Sequence, residues 1–150
     1  MIALGSDHGG FLLKRHILNY LEQRGIPVKD FGCYNEESVD YPVYASEVAR
    51  SVAAGVCELG ILCCGTGLGV CITANKIKGV RAVTCSESYS AAMSRRHNNA
   101  NVLCLGGRVI GPSLAEDIVD TWLNTEFEGG RHARRVDMIT ALEERPHPAK

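Results

Sequence analysis

The chain has 150 residues, 45% of them apolar and 22% charged, with a formal net charge of −1, which suits one well-buried core and is too little for two ordinary domains. The near-neutral balance gives no electrostatic case for nucleic acid or an anionic membrane surface, and no apolar run approaches the roughly 20 residues that span a bilayer. The opening segment IALGS lacks the basic flank and apolar stretch of a signal peptide, so residues 1–150 are expected to form a single cytoplasmic domain.

In chain order, the first strand is expected at Ile2 to Gly5, followed at once by Asp7 and His8. A helix then carries Leu13, Ile17, Tyr20 and Leu21 on one face and stops at Gly25, with Pro27 beyond it. A weaker strand at Val28 to Phe31 reads as an edge strand. Asp40 reads as the N-cap of a second helix, with Pro42 in its first turn and Ala45, Val48, Ala49 and Val52 as its buried stripe. The third strand, Gly60 to Cys63, runs into Cys64, a glycine-spaced loop (Gly65, Thr66, Gly67, Leu68, Gly69) and another helix. A fourth strand is expected at Arg81 to Cys85, and Ser86 can cap a helix ending near His97. The fifth strand, Val102 to Leu105, precedes Arg108, and Pro112 opens a helix with Leu114, Ala115, Ile118, Val119 and Trp122 inward. After Gly129 and Gly130 a last helix runs from about Arg131 to Arg145, ended by Pro146.

This βαβα rhythm implies a parallel sheet covered by helices on both faces. The seven cysteines (33, 57, 63, 64, 71, 85 and 104) are an odd set without a C-x-x-C pair, against both a disulfide framework and a zinc site. Most are read as small apolar residues in strands. Cys64 differs, because it sits beside free backbone N–H groups and the positive end of a helix dipole, which favour a thiolate and a bound anion. Cys63 should point the opposite way along the strand and pack in the core.

In open parallel sheets the ligand lies outside the carboxyl ends of the strands. Asp7, His8, the Cys64 to Gly69 segment and Arg108 all follow strands, so they should open onto one crevice. His97, Asn98, Arg131 and Arg135 come at or after the far ends of helices that run back to the opposite edge. To act on the same ligand they must come from a neighbouring subunit, which makes the site shared across a symmetric dimer. Taken singly, His97 could merely complement a helix dipole, Arg131 and Arg135 could be a solvated face, and Asp7 could cap a turn.

Other classes fit poorly. A dinucleotide fold would carry G-x-G-x-x-G after strand one and an acid about 20 residues on, a P-loop needs Gly-Lys-Ser/Thr, and a cysteine phosphatase needs an arginine within Gly65 to Asn75. A phospho-accepting signalling domain would cluster acids after strand one. An enzyme acting on a small phosphorylated carbonyl compound uses every part: arginines and a histidine for phosphate, loop N–H groups for an oxyanion, and a thiolate to remove a proton. Isomerisation fits best.

The segments SDHGGFLLK, DYPVYAS, CGTGLGVCITANK, SRRHNNANVL, GGRVIG and EGGRHARRV resemble the type B ribose-5-phosphate isomerases, within the wider group of type B sugar-phosphate isomerases, over nearly the whole chain. The resemblance implies a Rossmann-like three-layer αβα sandwich with a five-stranded parallel sheet and an extra C-terminal helix. It implies a metal-free and cofactor-free homodimer, able to pair into tetramers, that interconverts ribose 5-phosphate and ribulose 5-phosphate. By the same likeness, Cys64 is the base that moves the proton between C1 and C2, and His97 opens the furanose ring. Asp7, His8, Tyr41, Gly65, Thr66, Gly67, Leu68, Gly69, Asn98, Arg108, Arg131 and Arg135 match substrate contacts, with the arginines and His8 near phosphate and Tyr41 lining the sugar. Thr66 and the loop amides would meet the charge of a cis-enediolate. Some relatives carry glutamate as the base, and Cys64 places this chain with the cysteine branch. Relatives acting on six-carbon allose or galactose 6-phosphate leave pentose preference open, although the galactose type divides its site between two different chains and here the full set sits on one.

Overall fold

The structure, a computed structural model, describes residues 1–144. Five parallel strands lie in the order β2-β1-β3-β5-β4: β1 (Ile2–Ser6), β2 (Val28–Asp30), β3 (Leu59–Cys64), β4 (Ala82–Thr84) and β5 (Val102–Gly106). The weak second strand is indeed at an edge. The central three, β1, β3 and β5, are buried along their whole length, as strands covered on both faces must be.

Alternation along these strands divides the core into two layers. Ile2, Leu4, Ile61, Cys63, Leu103 and Leu105 face α1 (Phe11–Gln23) and α5 (Pro112–Leu123), where Leu13, Ile17, Leu21, Ile118 and Trp122 complete the packing. Ala3, Leu62, Cys64, Val102 and Cys104 face α2 (Tyr41–Ala53) and α3 (Leu68–Ala74). Cys63 and Cys64 therefore lie in opposite layers, as strand alternation requires. The helix α4 (Ser88–Asn98) lies beside α5, and the last helix, α6 (Arg131–Leu142), packs on α4. Buried His132 and Val136 anchor α6, while Met138, Ile139 and Leu142 remain exposed.

Several local expectations change. The cap of α4 is Glu87, whose carboxylate accepts from Ser90 N at 2.9 and 3.1 Å, rather than Ser86; a carboxylate placed there also faces the positive end of the helix. Leu114 is 40% exposed, because the inward stripe of α5 starts one residue later at Ala115. The fourth strand is only three residues, since Arg81 N is taken by the Asn101 side chain at 2.7 Å and its guanidinium by carbonyls of Asn98 and Asn99. Asp40 does occupy the N-cap of α2, without a side-chain bond to it. Only Cys63, Cys64 and Cys104 are on strands; Cys33, Cys57 and Cys85 are buried in connections and Cys71 is half-buried on α3. Arg145 and Pro146, expected at the end of the last helix, lie outside the described residues.

Candidate active site

At the carboxyl edge, three connections are tied together through their backbones. Asp7 N donates to Cys63 O at 3.2 Å, Gly107 N to Cys64 O at 2.8 Å and Arg108 N to Gly65 O at 3.0 Å. The loops after β1, β3 and β5 thus form one floor at that edge. Arg108 lies directly over the glycine loop: a Cβ placed on Gly65 would stand 3.4 Å from its Nη1. Tyr41, at the start of α2, covers the other side, its ring within 2.9 Å of where a Gly69 Cβ would be.

Cys64 sits in the middle of this floor. Its Sγ accepts a hydrogen bond from Gly67 N at 3.0 Å, and the residue is only 4% exposed. Gly67 adopts φ +79°, a left-handed conformation that glycine takes without strain, and this turns its N–H back onto the sulfur. The donor matters more than the helix dipole here, since α3 has just seven residues. That N–H fixes the position of the sulfur in a place that excludes most water. Thr66 is exposed on the loop, with Oγ1 accepting from Leu68 N at 3.3 Å, and the Thr66 and Leu68 side chains both reach solvent.

Asp7 caps the short turn His8–Gly10, its Oδ1 accepting from Gly10 N at 3.0 Å. His8 Nδ1 accepts from Val39 N at 3.1 Å, so in the neutral ring Nε2 carries the proton and is a donor. Beneath them Lys14, 1% exposed, binds both Asp30 carboxylate oxygens at 2.7 and 2.8 Å and Cys33 O at 2.6 Å. That buried charge pins the start of α1 to the segment after β2.

The other cysteines have distinct environments. Burial pushes the Cys63 and Cys104 thiols well up and Cys85 up to about 11. Cys71 moves the other way, to about 6, through hydrogen bonding with Cys104, opposed by burial and aided by Thr84 and Asn75.

His97, Asn98, Arg131 and Arg135 lie elsewhere. The α4 helix starts at the carboxyl edge and ends with His97 and Asn98 where the chain turns into β5, a strand length of about 15 Å from the Cys64 edge. Arg131 and Arg135, both exposed, extend from α6 beside that corner. Within one chain the sequence-derived set therefore divides into two groups, as topology required. The corner also contains two residues absent from the sequence-derived set, Glu128 and His132. The ring of His132 stacks on His97 with centroids 4.2 Å apart, and Glu128 Oε2 lies 3.5 Å from His132 Nε2 and 3.9 Å from His97 Nε2. Their i, i+4 spacing within EGGRHARRV was the available signal. Among the described residues these three are the group whose ligand atoms come close enough for a metal ion, within 4.8 Å of one another.

An open parallel sheet whose carboxyl-edge loops bring a thiol, backbone donors and an arginine together at one edge defines a class: single-sheet α/β enzymes of small polar substrates. Comparison with known proteins narrows it. The chain belongs to the Ribose/Galactose Isomerase family, whose model matches residues 2–139. It is 56% identical over 144 residues to ribose-5-phosphate isomerase B of Escherichia coli strain K12, covering 96% of this chain and 97% of that protein. Among solved structures, the Clostridium thermocellum ribose-5-phosphate isomerase B superposes with a TM-score of 0.95 at 57% identity, over 95% of this chain and 97% of that one. The Mycoplasma genitalium ribose-5-phosphate isomerase B, solved with bound ribulose 5-phosphate, gives 0.92 at 45% identity over 97% of both chains. Among the described residues no helix is long and apolar enough to cross a membrane.

Proposed function

We propose that the chain interconverts ribose 5-phosphate and ribulose 5-phosphate, with Cys64 as the base and with His97, Asn98, Arg131 and Arg135 supplied by a second copy. The observation that carries this reading is the Gly67 N–H aimed at Cys64 Sγ, 3.0 Å away, at the carboxyl edge of a sheet shared with the ribose-5-phosphate isomerase B structures.

The steps follow from the residues. Ribose 5-phosphate is a closed ring, so a proton must leave the anomeric hydroxyl and one must reach the ring oxygen; His97 takes this part. The Cys64 thiolate then removes the C2 proton. The negative charge that develops on the enediolate oxygens is met by Thr66 and the amides of Gly65 to Gly69, a proton passes from O2 to O1, and the same thiol delivers the C2 proton to C1. Scant exposure of Cys64 favours return of that proton over loss to water. His8, through Nε2–H, and Arg108, Arg131 and Arg135 hold phosphate, Asn98 contacts the sugar, and Tyr41 lines it. Asp7 holds the turn that carries His8.

A shared site requires a dimer. Support comes from the separation of the two residue groups and from the exposed apolar residues Met138, Ile139 and Leu142 on α6. The test of substrate is a chelator-treated assay comparing kcat/KM for ribose 5-phosphate and allose 6-phosphate. A preference for the pentose is expected. A preference for the hexose would reassign the chain to a six-carbon sugar phosphate, and binding of a nucleotide with turnover of neither sugar would remove it from catalysis.

A further inference from the structure

The cluster at the α4–α6 corner is not explained by the residues assigned above. His97 is stacked flat against His132, with 10° between the ring planes, and one carboxylate, Glu128, faces the Nε2 atoms of both. A metal ion is a poor occupant. Coordination needs each imidazole lone pair to point in its ring plane at a common centre, whereas face-to-face rings 4.2 Å apart direct their lone pairs along nearly parallel lines. What the arrangement does well is hold one ring still. His132 is 6% exposed, fixed in the first turn of α6 by the Gly129–Gly130 turn, where both glycines have positive φ, and its N–H donates to Gly129 O at 3.0 Å. Glu128 is fixed at its backbone, its N–H donating to Arg96 O at 3.1 Å.

We propose that His132 and Glu128 are positioning residues for His97: His132 sets the plane of its ring, and the Glu128 carboxylate offsets the charge the ring acquires when it accepts a proton from the sugar. This rests on the ring-opening role of His97. A flat neighbour removes the χ2 freedom of a half-exposed histidine, so the reacting nitrogen is presented in one orientation. Burial, then the nearby His97 and Arg131, lower His132 below the usual histidine range. A neutral His132 does not repel a proton on His97. Arg131 and Arg135 on α6 and Arg96 on α4 bring positive charge to this corner, and Glu128 is the carboxylate that faces both rings.

The experiment compares two sugars. Ribose 5-phosphate must be opened before proton abstraction; the shorter aldose erythrose 4-phosphate has no furanose ring to open, because its O4 is esterified. His97→Asn is the reference and should slow ribose 5-phosphate selectively. Glu128→Gln and His132→Ala are expected to lower kcat for ribose 5-phosphate about tenfold, with KM unchanged and with erythrose 4-phosphate turnover within about twofold of the unaltered enzyme. His132→Phe, which restores a flat neighbour without a titrating group, should recover most of the loss. Equal slowing of both sugars by Glu128→Gln, or no slowing of either while His97→Asn remains selective, overturns the positioning role. If His97→Asn itself slows both sugars equally, the ring-opening role fails first and the inference falls with it. Should His132→Ala not fold, the exposed Glu128→Gln decides the matter alone.

Discussion

The two ends of the sheet are organised differently. At the carboxyl edge, Cys64, the glycine loop and Arg108 are locked to one another by short backbone hydrogen bonds, and the thiol has its donor within the same chain. At the far corner, His97, His132 and Glu128 are packed together, and Arg131 and Arg135 beside them are exposed, with no side-chain hydrogen bond or ion pair among the described residues. On the proposed function, one end is a reaction floor and the other a binding arm. Each is incomplete alone, which is the reason to expect that a second copy brings the arm of one over the floor of the other.

The largest expected effect breaks the floor. Cys64→Ala should lower kcat by about 10³-fold while sugar phosphate still binds, whereas Cys63→Ala, one residue back and in the opposite core layer, should leave activity near that of the unaltered enzyme. Steady-state kinetics and ligand titration of both variants check this, and equal loss in both would remove Cys64 as the base. Next comes the arm. His97→Asn should slow ribose 5-phosphate by about 10²-fold and the open-chain aldose erythrose 4-phosphate far less, measured by initial rates on each substrate. Arg135→Ala should act mainly on KM, raising it about tenfold, the scale of one lost charge-assisted bond, with kcat little changed.

Much of this division can be read from the amino acids and some cannot. The positions of Cys64 and Arg108 follow from strand ends, and the opposite placement of His97 follows from counting helices, because parallel topology leaves no other route for the chain. The cap of α4 could not be settled that way: Ser86 and Glu87 are adjacent, both can accept from a backbone N–H, and only the extended backbone at Glu87 (φ −157°, ψ 161°) selects it. Arg81 reads as strand because an apolar run follows it, yet Asn101 and the end of α4 claim its hydrogen bonds. Lys14 reads as one more charge on an amphipathic helix; its burial depends on Asp30 and Cys33, residues 16 and 19 positions away. The pairing of His97 with His132 likewise depends on how α6 returns to α4, a contact that periodicity within either helix cannot show.

Smaller effects sharpen the comparison through stability. Lys14→Met should destabilise the chain by about 3 kcal/mol, because it strands the mostly buried Asp30 carboxylate without its partner; chemical denaturation at pH 7 measures it. The smallest effect is in pH. His132 takes up a proton less readily when folded than when unfolded, so its contribution to stability is present above about pH 6.5 and is lost as pH falls below that value. Thermal unfolding of the unaltered chain should therefore weaken on acidification in that range, and His132→Phe should flatten that part of the curve.

The most direct test mixes two impaired proteins and assays ribose 5-phosphate. Cys64→Ala and His97→Asn homodimers, dissociated together and reassociated, form hybrids in which one of the two sites receives Cys64 from one chain and His97 from the other. A shared site predicts recovery of about a quarter of the activity of the unaltered enzyme, since half the dimers are hybrids with one intact site each. No recovery, in hybrids shown to have formed, would place both residues in a single-chain site and contradict the division between floor and arm.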